Sequence, residues 1–225
     1  MTDFSPEAWS DCFARMEQIL GWSLSVRQRA DLQQFSRLLL QANRQFNLMG
    51  PSITTDLLDR HFLDAVPLLA HFSASACVAD LGSGGGVPGL VLAILCRPPQ
   101  TIHLVESIQK KARFLETVVE QLALGDRVRV LAMRAEQLGA QEKKAYDLVI
   151  SRALGSLAYG AELAHPLLRP TGAYLALKGR NHAEDVAGLR LSPVGRLFQT
   201  PQIQPVAVAG GGVIVRLNKG HWLVA

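Results

Sequence analysis

Between residues 77 and 96 the chain runs from a short β-type stretch, Cys77-Val78-Ala79-Asp80-Leu81, through Gly82-Ser83-Gly84-Gly85-Gly86-Val87-Pro88-Gly89, into an apolar, helix-length segment. A strand that hands over to a helix through five glycines restricts the possible folds more than any other feature here. Glycine lets the backbone turn sharply and lets a ligand lie against it with no Cβ in the way. The free N–H groups at a helix start receive the polar end of that ligand. Gly84-x-Gly86-x-x-Gly89 fits a dinucleotide fingerprint, and Glu106 closes the next β-type run 20 residues after Gly86. An acid there can bond ribose hydroxyls, so the pattern points to an adenosine-containing cofactor.

The same rhythm continues downstream. β-type runs at 101–106, 127–133, 146–151 and 173–178 alternate with helix-length segments such as 109–122 and 156–168, and Pro170-Thr171-Gly172 reads as a turn. Repeated βα alternation implies an open, mostly parallel sheet with helices on both faces. At the tail, 206–208 and 213–217 read as a hairpin around Gly210-Gly211-Gly212, which brings the count to seven strands.

The first 75 residues read differently, as helices. Ser5-Pro6-Glu7 is a helix start with its cap, a first-turn proline and an acid at the positive end. Ser25-Val26-Arg27-Gln28 matches a capping box, and Leu32, Phe35, Leu38, Leu39, Ala42 and Phe46 follow it as an apolar stripe. A third helix is expected from Thr54 or Thr55, carrying Leu57, Leu58, Phe62 and Leu63, with Pro67 near its end. The expected architecture is α/β, a Rossmann-like fold at 76–225 behind an N-terminal helical extension at 1–75.

Composition narrows the class. With 225 residues, 48% of them hydrophobic, the chain can bury a substantial core. A net charge of +4 and a pI near 9.2 suit a nucleic-acid partner, though many enzymes share such values. Cys12, Cys77 and Cys96 are odd in number and widely spaced, which argues for free thiols in a reducing cytosol and against a disulfide framework or zinc site. None of the six histidines has metal-ligand spacing with an acid or cysteine, so no metal is expected. The longest uncharged run, 81–96, is 16 residues with five glycines, too short and too broken to cross a membrane. A cytoplasmic monomer is expected.

Asp80 separates the candidate cofactors. Asp80-x-Gly82-x-Gly84 puts a carboxylate at the end of the first strand. It would attract the ammonium of S-adenosylmethionine (SAM) and repel the pyrophosphate of NAD. SAM is the preferred reading and an NAD-dependent oxidoreductase the alternative, although no hydride-relay His or Tyr-Lys pair stands out. The acceptor follows partly by elimination. The Asn/Asp-Pro-Pro-aromatic loop suited to exocyclic amines is missing after the fourth strand, where Ser151-Arg152-Ala153 stands. No cysteine sits at a strand end facing the glycine loop to act as the nucleophile that pyrimidine-carbon methylation needs. Guanine N7 fits, because its lone pair is free and the enzyme must supply alignment and electrostatics more than a general base. Arg134, Arg152 and Lys178 follow or end the third, fourth and fifth strands, on the ligand side of a parallel sheet. Lys110-Lys111-Ala112-Arg113 reads as a solvated helix face that could reach phosphates.

From about Phe46 to Gly179 the chain resembles the bacterial 16S rRNA guanine-N7 methyltransferase family (RsmG, glucose-inhibited division protein B). The resemblance rests on Asn47-Leu48, Arg60-His61-Phe62-Leu63-Asp64, Asp80 through Gly89, Lys111 through Leu115, Arg134-Ala135-Glu136, Ser151-Arg152-Ala153 and Ala176-Leu177-Lys178-Gly179. It implies a SAM-dependent methyltransferase fold, with 16S rRNA or the 30S subunit as partner. It implies that Gly82 and Val87 contact SAM beside Asp80, Gly84 and Glu106, that Ala135 and Glu136 hold the adenine end, and that Arg152 lies beside the cofactor. Arg134 and Lys178 would position substrate, and Asn47, Arg60 and His61 would bring the N-terminal helices to the RNA cleft. Two departures stand out: Met49 where the family often has Thr, and Ala209-Gly210-Gly211-Gly212 where it usually has an acidic-Arg-His stretch. An RNA-binding assembly protein with a relic cofactor pocket is the non-enzymatic alternative, disfavoured by Glu106, Glu136 and the intact loop.

Overall fold

The computed structural model describes residues 4–46, 48–49, 56–74, 76–96, 100–206 and 212–220. Two helices open the chain. In α1 (Pro6–Leu20), Ser5 Oγ accepts from Ala8 N at 3.2 Å and Gly21 closes the far end at φ 72°. Ahead of α2 (Val26–Phe46), Ser25 Oγ accepts from Gln28 N at 3.2 Å while Ser25 N donates to Gln28 Oε1 at 3.0 Å, the reciprocal pair expected of a capping box.

The third helical segment departs from expectation. Its start at Thr54 or Thr55 lies outside the described residues. From Leu57 it is no simple α-helix but a π-turn, Leu57–Phe62, running through Leu63–Ala65 into a 3₁₀ segment, Val66–His71. Leu57, Leu58, Phe62 and Leu63 are buried as the pattern requires, but apolar spacing alone does not distinguish i+3, i+4 and i+5 winding.

Seven strands form one sheet in the order β3-β2-β1-β4-β5-β7-β6. They are β1 (Cys77–Leu81), β2 (Thr101–Val105), β3 (Val128–Leu131), β4 (Tyr146–Arg152), β5 (Leu168–Lys178), β6 (Gln202–Pro205) and β7 (Val213–Asn218). The first five are parallel, while β7 runs antiparallel to both β5 and β6. The other helices are α3 (Gly89–Leu95), α4 (Gln109–Gln121), α5 (Ala135–Gln141), α6 (Leu157–Leu167) and α7 (His182–Leu191).

Two expectations need correction. Pro170-Thr171-Gly172 is no turn between elements; it lies within β5, where pairing jumps from Tyr146↔Leu168 to Leu148↔Ala173 and the intervening residues bulge outward. A bulge frees proline from donating to the ladder. The tail hairpin is also shifted: β7 pairs with Gln202–Pro205, ahead of the expected strand, whose residues 207 and 208 lie, with 209–211, outside the described residues.

Both sheet faces are covered, as parallel strands require. One buried cluster joins α1 to α4 and the 57–71 segment to the sheet, and another joins α5, α6 and α7 to the opposite face. The N-terminal helices are clamped to the rest by side chains that satisfy helix-end carbonyls. Gln28 Nε2 donates to Leu95 O at 3.0 Å, and Arg27 Nη2 donates to Leu122 O at 3.2 Å. Phe35 of α2 stacks on Phe62 with ring centroids 5.4 Å apart, and both are fully buried.

Phe35→Ala should therefore remove about 3–5 kcal/mol and lower Tm by roughly 6–20 °C. Thermal melting followed by circular dichroism should show one cooperative transition; an unchanged Tm would mean the N-terminal helices contribute nothing to the common core.

Candidate active site

Strand register assembles the site. Leu81 is level with Val105 and with Ser151, Val105 with Leu131, and Ser151 with Ala176. The C-terminal ends of the five parallel strands thus form one edge, which carries the glycine loop, Glu106, Arg134, Arg152 and Lys178. This is the edge where open α/β sheets bind ligands.

The loop after β1 turns through left-handed backbone at Gly82 (φ 69°) and Gly86 (φ 88°). A Cβ on Gly82 would come within 2.8 Å of Leu154, and one on Gly86 would collide with Leu90. Gly82 N and Ser83 N both donate to Val105 O, at 2.9 and 3.1 Å, which pins the loop to the end of β2. Beneath it Asp80 is only 1% exposed. Asp80 Oδ2 accepts from Gly89 N at 3.1 Å, the first residue of α3, while Oδ1 has no partner among the described residues. Burial pushes this carboxyl up to about 7, opposed by the Gly89 N–H and Ser83 and reinforced by Glu106. A carboxyl held so high for want of a neighbouring cation would return to its ionised form beside a ligand ammonium. The unpartnered oxygen and the Cβ-free cradle both fit the amino-acid end of SAM.

Glu106 is 5% exposed. Its Oε2 accepts from Gly84 N at 2.9 Å and its Oε1 from Ile108 N at 2.8 Å, which leaves lone pairs for hydroxyl donors. Val87 is buried in the loop. Ala135 and Glu136 open α5, where Arg134 N donates to Gln137 Oε1 at 3.1 Å. Exposed Glu136 accepts from Tyr159 Oη at 3.2 Å, a partner on α6 that sequence reasoning missed.

A second recess of about 220 Å³ lies at the ends of β4 and β5, lined by Arg60, Asp64, Arg152, Ala153, Leu177 and Lys178 among others. Arg152 Nη2 donates to Arg60 O at 2.6 Å and approaches Asp64 Oδ2 at 3.8 Å, while its buried Nη1 has no partner among the described residues. Ala153 holds φ 54°, strained backbone of a kind that clusters at functional sites. Lys178 donates to Gly155 O at 2.6 Å and pairs with Asp185 at 3.2 Å, leaving its side chain 11% exposed. His61 Nδ1 is buried without a partner among the described residues, and burial, with the charge of Arg152, pushes the imidazole down to about 4. His61 is therefore neutral at pH 7 and contributes no phosphate-binding charge.

Arg60 and Lys178 thus share this recess with Arg152, whereas Arg134 stands exposed at the start of α5 and is absent from its lining. Asn47 lies outside the described residues. Next to it, Met49 packs on the glycine loop: a Cβ on Gly85 would come within 2.9 Å of Met49 Sδ, and Met49 N donates to Asn43 Oδ1 at 2.7 Å. Asp64 and Asp185 are functional candidates that the sequence reading did not single out. Asp64 closes the Arg60–Asp64 stretch that carries the family resemblance, which was the available signal; nothing in the sequence ties Asp185 to Lys178. Among the described residues no cluster could hold a metal, and no helix is long and apolar enough to cross a membrane.

The chain matches the family described as rRNA small subunit methyltransferase G over residues 28–202. It is 41% identical over 179 residues to the ribosomal RNA small subunit methyltransferase G of Sorangium cellulosum, covering 78% of this chain and 74% of that one. It is 38% identical over 201 residues to the protein of that name from Xanthomonas axonopodis pv. citri, covering 89% and 90%. Among solved structures, Burkholderia thailandensis 1,6-didemethyltoxoflavin-N1-methyltransferase, with bound 1,6-didemethyltoxoflavin and S-adenosylhomocysteine, superposes with a TM-score of 0.55 at 16% identity, covering 80% and 87%. That likeness shows the methyltransferase fold.

Asp80 makes a signed prediction. Unfolded, its carboxyl has its ordinary value near 3.8; folded, it sits near 7. Between the two the folded chain keeps a proton that the unfolded chain loses, so this stabilisation is complete below the lower value and lost as pH rises through the upper one. In urea titrations of the ligand-free protein, wild type should therefore lose stability relative to Asp80→Asn between about pH 4 and 7, with the difference levelling off above that. A pH-independent difference would contradict the assignment.

Proposed function

The chain belongs to the rRNA small subunit methyltransferase G family, and from that premise we propose that it transfers a methyl group from SAM to N7 of one guanine in 16S ribosomal RNA. The observation that carries this reading is one sheet edge holding both an acid-and-glycine cradle with an unsatisfied carboxylate oxygen and a recess walled by Arg60, Arg152 and Lys178.

In this reading Asp80, Gly82, Gly84 and Val87 hold the methionine end of SAM, Glu106 the ribose, and Ala135 and Glu136 the adenine, with Arg152 beside them. When bound, SAM supplies a methyl on a positively charged sulfur. Guanine N7 has a free lone pair, so no side chain need act as general base, and the residues' task is to bind, orient and exclude water. Arg60, Arg134 and Lys178 favour the polyanion, with Asn47 and His61 as further RNA contacts. The target base leaves its stack at a cost of a few kcal/mol. The helical extension, 1–75, delivers Arg60 and Asp64 to the methyltransferase domain, 76–225. We further assign the enzyme to the cytoplasm, as a monomer that needs no metal.

Incubation of unmethylated 30S subunits or free 16S rRNA with methyl-labelled SAM should place label at one guanine, as N7-methylguanine. Gly82→Asp, which puts a branched acid into left-handed backbone against Leu154, should lower kcat/KM by roughly 10–100-fold or more, equivalent to about 1.4–2.8 kcal/mol. Label absent from 16S rRNA while SAM binds would reject the substrate.

A further inference from the structure

The recess at the ends of β4 and β5 contains a group that RNA attraction alone does not account for. Asp64 lines it with a side chain 24% exposed. It accepts no hydrogen bond among the described residues, and its closest cation, Arg152 Nη2, stands at 3.8 Å, too far for a good hydrogen bond. Arg152 Nη2 is instead committed to Arg60 O at 2.6 Å, and Nη1 is buried with no partner among the described residues. Burial raises the Asp64 carboxyl, with Arg152 and Arg60 opposing. A carboxylate and a guanidinium side by side, each with unused hydrogen-bonding capacity in a partly dry recess, make a poor structural ion pair and a good receptor.

The chemistry of the recess selects its occupant. Arg60 and Lys178 at the wall favour a nearby phosphate, but the carboxylate of Asp64 repels one at its own position, so that spot suits a neutral hydrogen-bond donor. Apolar Ala153, Leu177 and Val206 also line it, and 220 Å³ is small beside a typical ligand pocket, which suits one planar base. Side by side, Arg152 offers donors and Asp64 two acceptor oxygens. Guanine presents the complement along its Watson–Crick edge: O6 accepts, while N1–H and the N2 amine donate. Adenine presents a donor and a bare acceptor there and would leave Asp64 facing a lone pair. Cytosine has only one donor group, and uracil sets its single N–H between two acceptors.

We propose that Asp64, with Arg152 beside it, is the specificity-determining residue of this enzyme: its carboxylate accepts from N1–H and N2–H of the target guanine while Arg152 donates to O6. Holding that edge leaves the N7 side of the ring free for methyl transfer. The assignment rests on the methyltransferase reading above and refines its acceptor site.

The test compares 30S particles reconstituted with 16S rRNA carrying either guanine or inosine at the mapped methylation site. Inosine keeps O6, N1–H and N7 but lacks the N2 amine. Wild type should show kcat/KM for guanine roughly 10–100-fold above inosine, the value of one hydrogen bond to a charged group. Asp64→Asn and Asp64→Ala should bring that ratio to within about threefold of unity, whatever their absolute rates. Partial unfolding lowers both rates equally and leaves the ratio untouched. Equal wild-type rates on the two particles, or a preference that survives in both variants, overturns the assignment of Asp64 while leaving the methyltransferase reading intact. No transfer to guanine by wild type overturns both.

Discussion

A single carboxylate organises the active edge. Asp80 is buried where β1 ends, and its Oδ2 accepts a hydrogen bond from nine residues ahead, the first N–H of α3. That bond ties the strand to the helix across the glycine loop, and the loop can follow so tight a path because Gly82 and Gly86 adopt backbone that other residues resist. Gly89 must also lack a side chain, since a Cβ there would strike Asp80 and Leu104. The arrangement leaves one carboxylate oxygen in a dry place without a partner among the described residues, a cost that a cationic ligand would remove.

The second constraint is that the site is built from both parts of the chain. The sheet and the loops at its edge supply Asp80, Glu106, Arg152 and Lys178, but the recess at the ends of β4 and β5 is closed by Arg60 and Asp64 from the π-turn and the residues after it. Arg152 joins the two through the Arg60 carbonyl, and Met49 rests on Gly85 of the loop. Helices α1 and α2 share a continuous core with one sheet face. Their packing therefore bears on the shape of this recess as well as on stability.

What the sequence disclosed was local chemistry. The caps at Ser5 and Ser25, the glycine loop, β1 and the acid after β2 are each fixed by residues within a few positions of one another, and each lies where its pattern predicts. The misreadings have physical causes. Pro170 and Gly172 signal a turn, but a bulge in a long strand uses the same residues. α5 and α7 went unread because they are short and bury few side chains, only Val186 and Leu189 in α7. Long-range pairings were beyond reach: Lys178–Asp185 and Arg152–Asp64 join elements whose charges look, in sequence, like any solvated face.

The central claim is that the buried acid beneath the glycines receives the cation of SAM. Calorimetric titration with SAM in buffers of different ionisation enthalpy measures it directly, with Asp80→Asn as the reference that cancels the titration of the ligand's own amine. If Asp80 is driven ionised by the ligand, wild type should release up to about one more proton than the variant, the excess growing as pH falls from about 8 to 6 through the elevated value of this carboxyl. Absence of SAM binding, or binding with no excess proton release at any pH, would contradict the account.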